Sequence, residues 1–249
     1  MCTQPLIIAR KEIRDHTRDV RTLISSLFYA LMGPLVVSMV SFAVRGEKTN
    51  AILLSMMSVF ALVAVFVGGM NLAIDSIAGE RERRSLLPLL MNPLLRRDVI
   101  LGKWLAIVIF AATGLLLNLC GFAFVVHLSL SQLLAVALAL LPLAPFAAAL
   151  EILVSTWCHN IKEAHTYLSL TIFLPMGGGM FLVFFPQMAA AWKIVPVAGQ
   201  QLLMDSLLKT GHLSPFALAA VTITTLAASA GLLSIATNLL HRDDVVYAN

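Results

Sequence analysis

The sequence predicts an all-α integral membrane protein: six transmembrane helices, an N-terminal amphipathic interfacial helix, a cytoplasmic loop between spans 1–2 and spans 3–4, and short external helices before the last span. Three observations predict this. First, 59% of the 249 residues are hydrophobic and 12% are charged, where soluble domains carry roughly 45–50% apolar and about 25% charged residues. The mean hydropathy of +0.91 agrees. Second, the apolar residues fall into six unbroken runs, each long enough to cross a ~30 Å hydrocarbon core at ~1.5 Å per residue. Third, the 17 lysines and arginines are divided unevenly between the two sides of such a chain. This composition excludes a disordered chain, a secreted disulfide domain and an ordinary cytosolic enzyme. The runs do not alternate, which excludes a transmembrane barrel.

The elements follow in order. Residues 1–22 place Leu6, Ala9, Ile13, Thr17, Val20 and Ile24 at helical spacing, with Arg10, Lys11, Arg14, Asp15, Arg18 and Arg21 mostly on other faces. This pattern predicts a helix lying in the interface; a basic anchor with no further role is the plainer alternative, and the two are compatible. The charged stretch and the apolar run after it are too long for a signal peptide. The spans are 23–44, 51–74, 104–126, 133–157, 166–185 and 215–240. Between them, 75–103 forms the main loop on one side and 186–214 an apolar external segment that dips back into the membrane. Both are too short for a soluble domain, so 1–249 is one membrane domain. Thirteen Lys and Arg lie on the side of residues 1–22 and 75–103, and Arg45, Lys48, Lys193 and Lys209 lie opposite. The basic side faces the cytoplasm, so both termini are cytoplasmic, in a multi-pass protein of the cytoplasmic (inner) membrane. Cys2, Cys120 and Cys158 are odd in number and differ in depth, which predicts free buried thiols.

The loop reads DSIAGERERRSLLPLLMNPLLRRDVILGK. Charges of alternating sign run from Glu80 to Arg84. Leucines broken by Pro88 follow, then the turn signal Asn92-Pro93. Such a loop forms short amphipathic helices with charged tips toward water or a partner; a basic interfacial connector is the alternative. It resembles the first cytoplasmic loop of type-2 ABC exporter permeases at Glu80, Glu82, Arg83, Leu86, Leu89, Leu90, Pro93, Gly102 and Lys103. Arg84-Ser85 stands where Gly-Thr is usual, and Pro88 where Glu is usual. The stretch from His159 to Leu168 is similar to the Lys-Glu-Ala-Gln-x-Tyr segment of the NatB-like subgroup, with His165 in place of Gln. Ile8–Glu12 and Ile194–Gly211 resemble the opening and the last external loop of the same proteins.

The resemblance implies a permease subunit of an ATP-binding cassette exporter. It would be a transport subunit rather than an enzyme, paired with a second permease subunit as a homo- or heterodimer. It makes 75–103 a coupling-helix loop. It also implies ATPase-coupling roles for Glu80, Arg81, Glu82, Arg83, Arg84, Ser85, Leu86, Lys162 and Glu163. The chain has no G-x-x-x-x-G-K-[ST] motif, so ATP and Mg belong to separate ABC ATPase subunits and no cofactor is expected here. Lipid is the expected surround, and no nucleic acid is expected as a partner. NatB-like permeases carry an external domain between spans one and two. Only Arg45–Asn50 stands there, which weakens any carry-over of sodium export and leaves the cargo open.

Other residues allow two readings each. Glu151 is the one full charge inside the spans as drawn; it is a pathway residue, or it pairs near the cytoplasmic boundary, with Lys162 as a candidate partner. Pro175 with Gly177, Gly178 and Gly179 is a flexing point or a site of close helix packing, and Pro142 and Pro145 allow the same pair. The external segment, with Gly211 ending its second helix, is a gate over the exit or an interfacial cap. The histidines are scattered without ligand spacing, which predicts no metal site. A stand-alone secondary carrier would show internal repeats and several buried ionisable groups. An intramembrane protease would need a Glu-Glu pair and mid-span histidines. Neither pattern occurs. The apolar spans lean toward a hydrophobic or amphipathic cargo.

Overall fold

The computed structural model describes residues 3–43, 49–85, 95–126, 128–177 and 192–240, and among them every regular element is helical. Helix α1 runs Thr3–Arg18 and α2 Val20–Ala43. Helix α3 runs Thr49–Ala73 and continues through a π-helical turn, Ile74–Gly79, into Glu80–Glu82. Then come α4 (Arg96–Val126), α5 (Leu130–Leu140), α6 (Leu143–Trp157), α7 (Ile161–Thr171), α8 (Ala198–Thr210) and α9 (Pro215–Leu239). Five stretches of the described residues are long and apolar enough to cross a membrane: Thr22–Ala43, Leu53–Glu82, Arg96–Val126, Leu130–Trp157 and Pro215–Leu239. The span expected at 166–185 lies partly outside the described residues. Its described part is helical to Gly177 apart from a turn at Ile172.

Two boundaries differ from the sequence reading. The second span runs eight residues further, to Glu82, and the third begins eight residues earlier, at Arg96. Hydropathy ends a span at its first charges. Here Glu80, Arg81 and Lys103 find partners on neighbouring helices and Asp75 pairs with Arg83 along its own segment, so the helix goes on. The fourth span is continuous in space but breaks at Leu141–Pro142 into α5 and α6, because neither Pro142 nor Pro145 can donate a helical backbone bond. Ser129 and Gln132 cap the start of α5 reciprocally.

The core has two clusters. One joins Val37, Met57, Phe66, Leu115, Phe122, Leu140 and Met204. The other joins Met70, Ile77, Ile100, Ile107, Ile152, Leu168 and Leu240, at the end of the molecule that carries the arginine-rich loop (the basic end). Small residues set the closest approach. A Cβ on Gly114 would lie 3.1 Å from the Cα of Gly68, so α3 and α4 meet backbone to backbone. Asn118 adds a hydrogen bond to the Ala30 carbonyl at 2.7 Å, which ties α4 to α2.

Helix α1 packs on α4 through Ile8, Ala9, Glu12 and His16, which are buried, and leaves Leu6 and Ile7 exposed. Electrostatics adds to this packing: Glu12 turns inward to a buried lysine. At the opposite end α8 closes with Gly211 in the left-handed region (φ 71°), as expected for the external segment. Ser58 donates to Asp205 at 3.1 Å and Gln200 to Thr225 at 2.7 Å, which ties α8 to α3 and α9. Cys158 is buried, but Cys120 is exposed on the flank of α4 rather than buried as expected.

Candidate functional site: the basic end of the bundle

The site is built around the π turn at the end of α3. A π turn spreads its backbone groups, and neighbouring side chains reach in. The Ser155 hydroxyl of α6 donates to the Ala73 carbonyl at 2.7 Å and accepts from the Ala78 N–H at 3.2 Å. Lys103 of α4 donates to the Ser76 carbonyl at 2.7 Å. Its ammonium also meets Glu12 of α1 at 3.0 Å and Glu80 at 2.9 Å. Lys103 is 1% exposed. Two carboxylates and a carbonyl replace its water, which is the condition for burying a charge. One ammonium thus fastens α1, the end of α3 and the start of α4. Gly102 makes room for this: a Cβ there would sit 2.6 Å from the Ile8 Cβ.

The next residues point in different directions. Arg81 is buried and donates to the Thr156 carbonyl at 2.9 Å and to the Cys158 carbonyl, closing the carboxyl end of α6. Glu82 accepts the Ile161 N–H at 2.8 Å at the start of α7. There Asn160 caps Glu163, and Glu163 accepts the His159 N–H. Arg83 pairs with Asp75 at 2.7 Å. Arg84 has φ 55°, and Ser85 N–H bonds to the Glu80 carbonyl at 2.8 Å. This is the left-handed helix end that usually takes glycine. Only some of the charges of 80–84 form outward tips. Glu80 and Arg81 are internal, Glu82 and Arg83 are engaged, and Arg84, Ser85 and Lys162 face outward without ion pairs among the described residues. Leu86 lies outside the described residues.

Beside this platform opens a cleft of about 510 Å³, lined by His16, Asp19, Ser25, Asn71, Asp75, Arg83 and His165 among others. His16 packs edge-on against Phe110, with ring centroids 4.8 Å apart. Burial lowers its pKa, and Asp75, Asp19 and Glu12 oppose that shift. Burial pushes the Cys158 thiol up to about 11, so it stays protonated and unreactive.

Glu151 is fully buried, and neither carboxylate oxygen has a hydrogen-bond partner among the described residues. Lys162 is exposed on α7 and does not pair with it. Pro175 is buried and Gly177 exposed, with nothing within 4 Å of a Cβ built on Gly177. Gly178 and Gly179 lie outside the described residues. Pro145 accepts from Trp104 at 3.0 Å and Ser229 at 2.8 Å, so its carbonyl joins α4, α6 and α9.

Sequence reading overlooked Glu12, His16, Ser76 and Ser155. A weak signal was present for the first two: a carboxylate and an imidazole stand one turn apart beside the apolar stripe of α1. Ser155 carries no such signal, because serine is unremarkable in a span. No group of three or more His, Cys, Asp or Glu able to hold a metal occurs among the described residues.

Comparison with known proteins adds two findings. The model of the ABC-2 family of transporter proteins matches residues 6–241. The chain is also 32% identical over 159 residues to the protein named "ABC transporter permease protein NatB" from Bacillus subtilis (strain 168). That match covers 55% of this chain and 39% of the relative's length.

Proposed function

Because this chain belongs to the ABC-2 family of transporter proteins, and is thus a multi-pass subunit of an ABC transporter, we propose that it is the permease of an ATP-driven exporter. ATP and Mg are bound by separate ATPase subunits docked at the basic end. That end faces the cytoplasm of the inner membrane, as the excess of arginine there supports. A second permease subunit completes the pathway, and cargo enters from the polar cleft.

The observation that carries this reading is the way the basic end is joined. Segment 80–85 is fastened to α4 and α1 through Lys103, to α6 through Arg81 and to α7 through Glu82. A push on its outer surface cannot move one helix alone. It moves the inner ends of four helices together, which is what converting ATPase closure into a change of pathway access requires. The outward side chains suited to receive that push are Arg84, Ser85 and Lys162. Charged tips orient a wet docking surface better than apolar ones.

The test is reconstitution. The chain purified with an ABC ATPase should show ATP turnover in liposomes that depends on both chains. Movement of cargo by this chain alone, with no nucleotide, would refute the proposal.

A further inference from the structure

We propose that the π turn of α3 is a movable register, with Ser155 and Glu151 as its two stations on α6. The inference rests on the transporter reading for its role but not for its geometry. Spans two and four run in the same direction, and their contacts step together. Ser155 serves the backbone at Ala73. One turn earlier on α6, Glu151 lies over the backbone one turn earlier on α3: a Cβ built on Gly69 would be 2.9 Å from Glu151 Oε2. Ser155 is bonded to the π turn on both its donor and acceptor sides. Glu151 is wholly buried and bonded to nothing among the described residues. An unmet buried polar group is expensive, and its neighbour on the same face shows what it could bond. A carboxylic acid, like the serine hydroxyl, can donate to a spread carbonyl and accept from a spread N–H.

If the π turn moves one helical turn toward Gly69, Glu151 takes the carbonyl and N–H one turn earlier that correspond to those Ser155 now holds. The residues between the two positions then shift by one register step, which is a rotation of about 100°. Asp75 is among them. It now lies in the cleft wall, paired with Arg83. Rotation withdraws the carboxylate and leaves the guanidinium facing the cleft, so the charge of the wall changes with the register. Lys103, bonded to the Ser76 carbonyl, holds the present setting. Ser155 and Glu151 are thus positioning residues for the intake side of the pathway, and Gly69 is needed to let the carboxyl approach.

The experiment reads the register directly. In a chain whose native cysteines are replaced, Asp75→Cys is labelled with a membrane-impermeant maleimide in inside-out vesicles. Adding Ser155→Ala should slow labelling at least fivefold, and Ser155→Thr should leave it unchanged. Adding Glu151→Met to Ser155→Ala should restore fast labelling, and Glu151→Gln, which keeps a donor and an acceptor, should not. In the complex with its ATPase, Glu151→Gln should keep ATP-dependent turnover while Glu151→Met loses most of it, although the methionine variant is at least as heat-stable. Labelling rates within twofold across all these variants, or slow labelling whatever stands at 151, would overturn the two-station register. So would loss of turnover in Glu151→Gln equal to that in Glu151→Met. Failure of the wild-type complex to hydrolyse ATP would instead count against the transporter reading.

Discussion

Lys103 is enclosed by protein, and its ammonium is met by Glu12, Glu80 and the Ser76 carbonyl. Removing one member of such a group leaves the others buried and uncompensated, at a cost of about 3–5 kcal/mol. Lys103→Met should therefore lower the thermal midpoint in detergent sharply. Adding Glu12→Gln and Glu80→Gln should recover most of the loss. If the single variant melts like the wild type, the triad does not hold the inner end together. His16 gives the matching pH prediction. Burial lowers its pKa in the folded state, so below the ordinary value of about 6.5 the unfolded chain binds a proton that the folded chain does not. Stability contributed by His16 is thus full at neutral pH and falls as the pH drops through 6.5 toward the lowered folded value. The midpoint should drop more steeply between pH 7 and 5 in the wild type than in His16→Gln; equal slopes would remove His16 from the account.

At the scale of elements, five of the six expected spans were legible because hydrophobic runs of this length have one physical meaning, and the end of α8 was legible because Gly211 has no side chain to oppose a left-handed turn. The ends of the second and third spans were not legible. Asp75, Glu80, Arg81 and Lys103 end an apolar run in any hydropathy window, yet they are helical because Glu80, Arg81 and Lys103 meet partners on other helices and Asp75 meets Arg83 further along its own segment. The face of α1 that packs on the bundle was not legible for the same cause: it is set by the long-range ion pair of Glu12 with Lys103, while Leu6 and Ile7 stay exposed. In the loop that follows α3, the split between inward Glu80 and Arg81 and outward Arg84 depends on which carbonyls end α6, and no local pattern records that. Packing makes the docking of α1 testable by itself. A side chain at Gly102 must displace Ile8, since even a Cβ falls 2.6 Å from it. Gly102→Val should free α1 while the spans stay folded, seen as trypsin cleavage at Arg10, Lys11 or Arg14 with the rest of the chain protected. Wild-type resistance at those bonds would show that α1 is held without that contact.

For the whole molecule the question is which charges transmit force and which hold shape. Reversing Glu80 would set it against Glu12's partner Lys103, and reversing Glu82 would uncap α7, so loss of turnover in such variants would not distinguish docking from misfolding. Arg84 and Lys162 are free of those duties. Both are exposed, and neither has an ion pair among the described residues. Reversing both to Glu should change stability by no more than about 0.5 kcal/mol, as for other surface sites. A docking surface that relies on them should suffer more, because like charges then face each other across the contact. We expect ATP turnover of the reconstituted complex to fall at least tenfold in Arg84→Glu/Lys162→Glu, with unchanged membrane insertion and thermal midpoint. The wild-type turnover should weaken as salt rises past the point where the screening length nears 8 Å, and the variant should be less sensitive to salt. Turnover equal to wild type at low salt would mean that the ATPase grips elsewhere. The platform of side-chain bonds at the basic end would then be a brace for the helices rather than a drive.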